Sequence, residues 1–141
     1  MGNGNVKTYK DLGIWQKGVL LAKDIYELTE KYPQKEKFGL INQMRRSAVS
    51  IPANIAEGWA RTGTKEFIHF LHISNGSLAE LQTFMVISRE LKYSEGGTDA
   101  GVEKQIEELQ KMIYAMIRSL SAKPAISEIG KYRNSGGEPL K

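Results

Sequence analysis

Cysteine is absent from the 141-residue chain, and histidine occurs only twice. No disulfide framework and no thiolate metal site can therefore be assembled. No uninterrupted apolar run approaches the roughly 20 residues that a membrane span needs. The first residues, Met1-Gly2-Asn3-Gly4-Asn5, are polar and lack the features of a signal peptide. These absences together predict a cytoplasmic protein with no membrane partner. No G-x-x-x-x-G-K phosphate loop occurs, and no serine stands in a nucleophile elbow. No enzymatic activity, cofactor or small-molecule substrate is indicated. A charge of one sign is also missing in quantity: 20 Lys and Arg stand against 16 Asp and Glu, a net +4. That mild basic excess permits an acidic partner such as RNA without requiring one.

What is present is helical spacing. No internal repeat recurs at a fixed period. Four segments between about residues 10 and 121 carry apolar side chains three and four apart, which predicts an all-α domain. In the first, about Lys10 to Lys31, two stripes overlap: Trp15, Val19, Ala22 and Tyr26, then Leu21, Ile25, Leu28 and Tyr32. This apolar face is wider than one bundle seam needs. Pro33 ends the segment. The second, about Glu36 to Arg61, carries Ile41, Met44, Ala48, Ile51 and Ile55, with Pro52 inside. An internal proline removes a hydrogen bond and predicts a kink or short break, with Ser50 capping a restarted helix. The third, about Thr64 to Leu91, repeats Phe67, Leu71, Ser74, Leu78, Leu81, Met85 and Ser88 in the manner of a coiled-coil seam. The small residues Ser74, Gly76 and Ser77 predict close approach of a neighbouring helix. The fourth, about Thr98 to Ser121, carries Val102, Ile106, Leu109, Ile113, Met116 and Leu120. Short connections favour an antiparallel up-down-up-down four-helix bundle. Residues 1–9 and 122–141 fall outside the pattern and are expected to be flexible.

Glu66 and His69 form an E-x-x-H, half of a carboxylate-bridged di-iron site. The second half is missing, and His69 with His72 is two ligands short of a structural zinc site. No metal site is predicted, and both histidines are expected on the surface or rim. Glu57 and Glu80 are expected to pair with Arg45 or Arg46. The basic residues Arg45, Arg46, Arg61 and Lys65 gather around the second segment and the turn after it, with Trp59 among them. Arginine forks bind phosphate oxygens in pairs, and an indole can stack on a base, so these five are candidates for nucleic-acid binding. The competing assignment is structural: ion pairs for the arginines and a packing role for the indole. Trp15, Val19, Ala22, Tyr26, Gly76 and Ser77 are candidates for an interface between copies of the chain.

The second segment contains Gln43-Met44-Arg45-Arg46-Ser47-Ala48-Val49-Ser50-Ile51-Pro52-Ala53-Asn54-Ile55-Ala56-Glu57-Gly58. This run resembles the signature of the four-helix-bundle proteins encoded in intervening sequences of bacterial 23S ribosomal RNA genes, also called S23-like proteins. Leu12, Trp15 and Ile25-Tyr26 resemble that family's first helix. Tyr32-Pro33, Glu36 and Gly39-Leu40 resemble its first turn. Phe67, Phe70-Leu71, Gly76-Ser77-Leu78 and Glu80-Leu81 resemble its third helix. The resemblance covers about residues 9–121. It implies a four-helix bundle that assembles into a homopentamer and has no established enzymatic activity. A related protein is the accessory variability determinant of diversity-generating retroelements, a basic pentamer that associates with a reverse transcriptase and nucleic acid. By that relation the expected partners are copies of the chain, structured RNA or a reverse transcriptase. A protein–protein scaffold with no nucleic-acid role is the alternative.

Overall fold

The computed structural model describes residues 6–94 and 97–122. The end segments 1–5 and 123–141, expected to be flexible, lie outside the described residues. Four helices form: α1 (Gly13–Thr29), α2 (Leu40–Ala60), α3 (Thr64–Glu90) and α4 (Gly97–Ala122). Short 3-10 turns at Tyr9–Asp11 and Gln34–Glu36 precede α1 and α2. No strand occurs among the described residues. Contacts run from α1 to α2, α2 to α3, α3 to α4 and back from α4 to α1, which closes an all-α bundle. The α2–α3 interface is the most extensive of the four.

The apolar periods explain this packing. Every seam residue named for α3, from Phe67 to Ser88, is buried, as are all five on α2. On α4 the stripe is buried except at Met116, whose place in the core is taken by Ile117. The two stripes of α1 separate. Leu21, Ile25, Leu28 and Tyr32 enter the core, whereas Val19 and Tyr26 are 40% and 44% exposed.

Helix α2 is unbroken through Pro52, so the predicted short break is not present. Side chains on both helices donate to carbonyls around the proline. Ser74 of α3 donates to the Ile51 carbonyl at 2.9 Å, and Asn54 to that of Ser50 at 2.8 Å. Ser50 does not cap a restarted helix. It donates to the Ser47 carbonyl at 2.7 Å and lies 2.6 Å from the Ser77 hydroxyl. Of the three small residues expected at a close approach, Ser74 and Ser77 meet α2, whereas a Cβ at Gly76 would meet nothing within 4 Å. Tight contact falls at Gly58 of α2, where a Cβ would sit 2.7 Å from Phe70 Cβ.

Packing begins before residue 10. Val6 is buried, and the Thr8 and Asp11 side chains form a capping box. The Lys7 and Thr8 amides donate to the Asp11 carboxylate at 2.8 and 3.1 Å and lower its pKa. Residues 6–9 are thus fixed by the same chemistry that caps helices.

Glu36 holds one end of the bundle together. Its carboxylate accepts from the Leu40 amide at 3.1 Å, at the start of α2, and from the Tyr93 hydroxyl at 2.8 Å. Tyr32 donates to Ser88 at 2.8 Å beside it. The α1–α2 and α3–α4 connections therefore meet at this end. The backbone bond from Leu40, followed by the Tyr93 bond, lowers the Glu36 pKa. A lowered carboxylate pKa contributes stability above its unfolded value, and that contribution disappears as pH falls through the folded value. Glu36→Gln is therefore expected to be less stable than the native chain near neutral pH. The gap should close on acidification below the usual carboxylate range. Urea midpoints across that pH range check this; a gap constant with pH would mean that the charge of Glu36 plays no part.

Candidate nucleic-acid interface

The five candidate residues lie on the last four turns of α2, the turn after it and the first turn of α3. They do not form one cluster of free cations.

Arg45 is tied to α1. Its Nε donates to Thr29 Oγ1 at 2.9 Å, and its Nη2 donates to the Tyr26 carbonyl at 3.1 Å and to Glu30 at 3.3 Å. The guanidinium also lies 4.5 Å from the Tyr26 ring centroid. A cation at the C-terminal end of α1 complements its exposed carbonyls and dipole. Arg45 thus takes the structural role, with Glu30 as its ion-pair partner in place of Glu57 or Glu80. Glu57 pairs instead with Arg61 at 2.7 Å, and Glu80 accepts from the Ser47 hydroxyl at 2.7 Å. Arg61 also lies 5.2 Å above the Phe70 ring. This pair is about half exposed on both sides. Such pairs are weak, in the range of about 0–1 kcal/mol, and a phosphate can compete for the guanidinium.

Trp59 cannot serve as a stacking platform. It is 9% exposed, and Phe67 packs edge-on against it with centroids 5.9 Å apart. The indole is a core anchor. Lys65 is exposed on the first turn of α3. Arg46 is exposed on α2, and its guanidinium takes part in none of the ion pairs among the described residues. It lines a groove of about 490 Å³ between α2 and α3, with Asn42, Gln43, Glu80, Phe38 and Phe84.

Phe38 is a residue that the sequence reading passed over. It stands three before Ile41, in register with the buried stripe of α2. Yet α2 begins only at Leu40, so Phe38 lies in the preceding turn and is 86% exposed. Lys37 places its ammonium 5.6 Å from the ring centroid. The available signal was Gly39, which breaks the helical register before Ile41.

Among the interface candidates, Val19 and Tyr26 are exposed, and Trp15 is half-buried against Tyr9 with ring centroids 5.3 Å apart. Ala22 is buried in the core, and Ser77 meets Ser50 within the α2–α3 contact. Gly76 is exposed. Glu66, His69 and His72 are all exposed, and no group of three or more potential metal ligands occurs among the described residues. No helix among those residues is long and apolar enough to cross a membrane.

The 23S rRNA-intervening sequence protein family matches residues 10–115. No curated protein matches the chain. Among solved structures, the chain is similar to a protein with unknown function from the S23 ribosomal protein family of Bacteroides thetaiotaomicron VPI-5482. The two superpose with a TM-score of 0.69 at 23% sequence identity, over 74% of this chain and 95% of the other. At that identity the likeness carries the fold alone.

Proposed function

This chain belongs to the 23S rRNA-intervening sequence protein family, and from that premise we propose that it is a non-catalytic, self-associating protein that binds RNA through exposed basic side chains. The observation that carries the reading is Arg46, a cation in a surface groove with no acidic partner among the described residues. A guanidinium left unpaired in that way is suited to phosphate. Lys65 and the exchangeable Arg61 extend the basic surface along α2 and α3. Self-association is supported by α1, where Val19, Leu20 and Tyr26 are each exposed. Surplus apolar surface on a bundle helix fits burial against a second copy, and a pentamer is the assembly we propose.

A titration with structured RNA tests the reading. Binding should appear at low salt and weaken steeply as salt rises, with a slope of about −0.7 to −0.9 in log–log form per phosphate neutralised. Light scattering should give the mass of a pentamer. A nucleic-acid enzyme such as a reverse transcriptase is the alternative partner. A scaffold that recognises only proteins is the second reading, favoured by exposed Val49 and Ile73 on α2 and α3. Pentamer mass without RNA binding at low salt would decide for the scaffold, and a monomer would count against both.

A further inference from the structure

The α2–α3 groove holds more than a phosphate-binding arginine. Phe38 presents its ring to solvent at the edge of the groove, and Phe84 lines the same space. Asn42, Gln43 and Glu80 line it too. The Ser47 hydroxyl donates to Glu80 Oε1 at 2.7 Å, which orients the carboxylate. Lys35 and Lys37 are exposed on the turn that carries Phe38.

The mixture selects the ligand class. A bare phosphate would be repelled by Glu80. A duplex keeps its bases stacked inside and offers no free face to Phe38. An unpaired nucleotide satisfies each group. Its base has a face for an aromatic ring, its edge offers donors and acceptors to amides and a carboxylate, and its phosphate matches a guanidinium. The groove volume of about 490 Å³ is also within the range of pockets that hold small ligands. We infer that the groove between α2 and α3 is a site for single-stranded RNA, with Phe38 stacking on a base, Asn42, Gln43 and Glu80 contacting its edge, and Arg46 holding the adjacent phosphate.

This inference rests on the RNA-binding reading, and the test separates the two. The probe is a short fluorescent single-stranded RNA, compared with the same strand annealed to its complement, titrated into the full chain at low salt. The native chain is expected to prefer the single strand. Phe38→Ala should weaken that binding about 5- to 150-fold, the loss of one base–aromatic stack. Phe38→Trp should restore it, because an indole keeps the stacking face. Phe38 is exposed, so neither variant is expected to disturb folding. Native binding of single strand and duplex alike, unchanged in Phe38→Ala, would overturn the site and leave general RNA binding standing. An altered oligomer mass in Phe38→Ala at unchanged RNA affinity would assign the ring to a protein contact and equally overturn it. Absence of any RNA binding would remove both readings.

Discussion

Phe67→Ala is expected to lower folding stability by about 3–5 kcal/mol, the usual cost of truncating a fully buried phenylalanine. Phe67 has no exposure, and its ring meets Trp59 edge-on at an interplanar angle of 82°. Truncation removes the transfer free energy of the ring and leaves a cavity at the most extensive helix–helix interface. It also removes an aromatic pair worth about 0.5–1.5 kcal/mol beyond its area. Trp59 cannot swing in to fill the space without exposing its own core contacts. Domains of this size have about 5–15 kcal/mol in total, so the variant should be close to the threshold of folding. A urea titration with an unchanged slope and a lower midpoint measures the loss. A shift equivalent to less than about 1 kcal/mol, the level of an ordinary substitution, would place Phe67 outside the cooperative core.

The second large effect is expected at Gly58. Replacing a helical glycine normally returns about 1 kcal/mol of propensity. Here a Cβ would lie 2.7 Å from Phe70 Cβ, 3.0 Å from Phe67 Cδ1 and 3.4 Å from the Phe67 carbonyl oxygen. Phe70 Cβ is fixed to the α3 backbone, so relief requires the whole helix to move. Overpacking of this kind costs about 1–3 kcal/mol or more, which exceeds the propensity gain. Gly58→Val should therefore lose about 3 kcal/mol, with Gly58→Ala losing less. A Gly58→Ala variant more stable than the native chain would show that the two helices are free to separate there.

The core was legible in the sequence because helical burial repeats every three or four residues. That period also contained the correct place of Trp59, four residues beyond Ile55 on the buried stripe of α2. Grouping it with nearby basic residues ignored the face it occupies. Arg45 could not be assigned from sequence, because its partners Thr29, Tyr26 and Glu30 lie on another helix. Phe38 was passed over for a different reason. Its spacing fits the stripe, but spacing has meaning only inside a helix, and α2 starts two residues later. The small residues of α3 divide: Ser74 and Ser77 meet α2 directly, whereas nothing approaches Gly76 within one bundle. A tighter approach falls at Gly58, which the sequence reading took only as the loosening end of its helix.

Pro52 has a consequence in time as well as in space. Chains are synthesised from the N-terminus, and Ser74 follows Ile51 by 23 residues. At about 5–20 residues per second, roughly 1–5 s separate the two. Throughout that interval the newly made α2 carries a proline in its middle without the α3 hydroxyl that binds its backbone beside it. The first half of the protein therefore waits for the second to be made before its own central helix is complete.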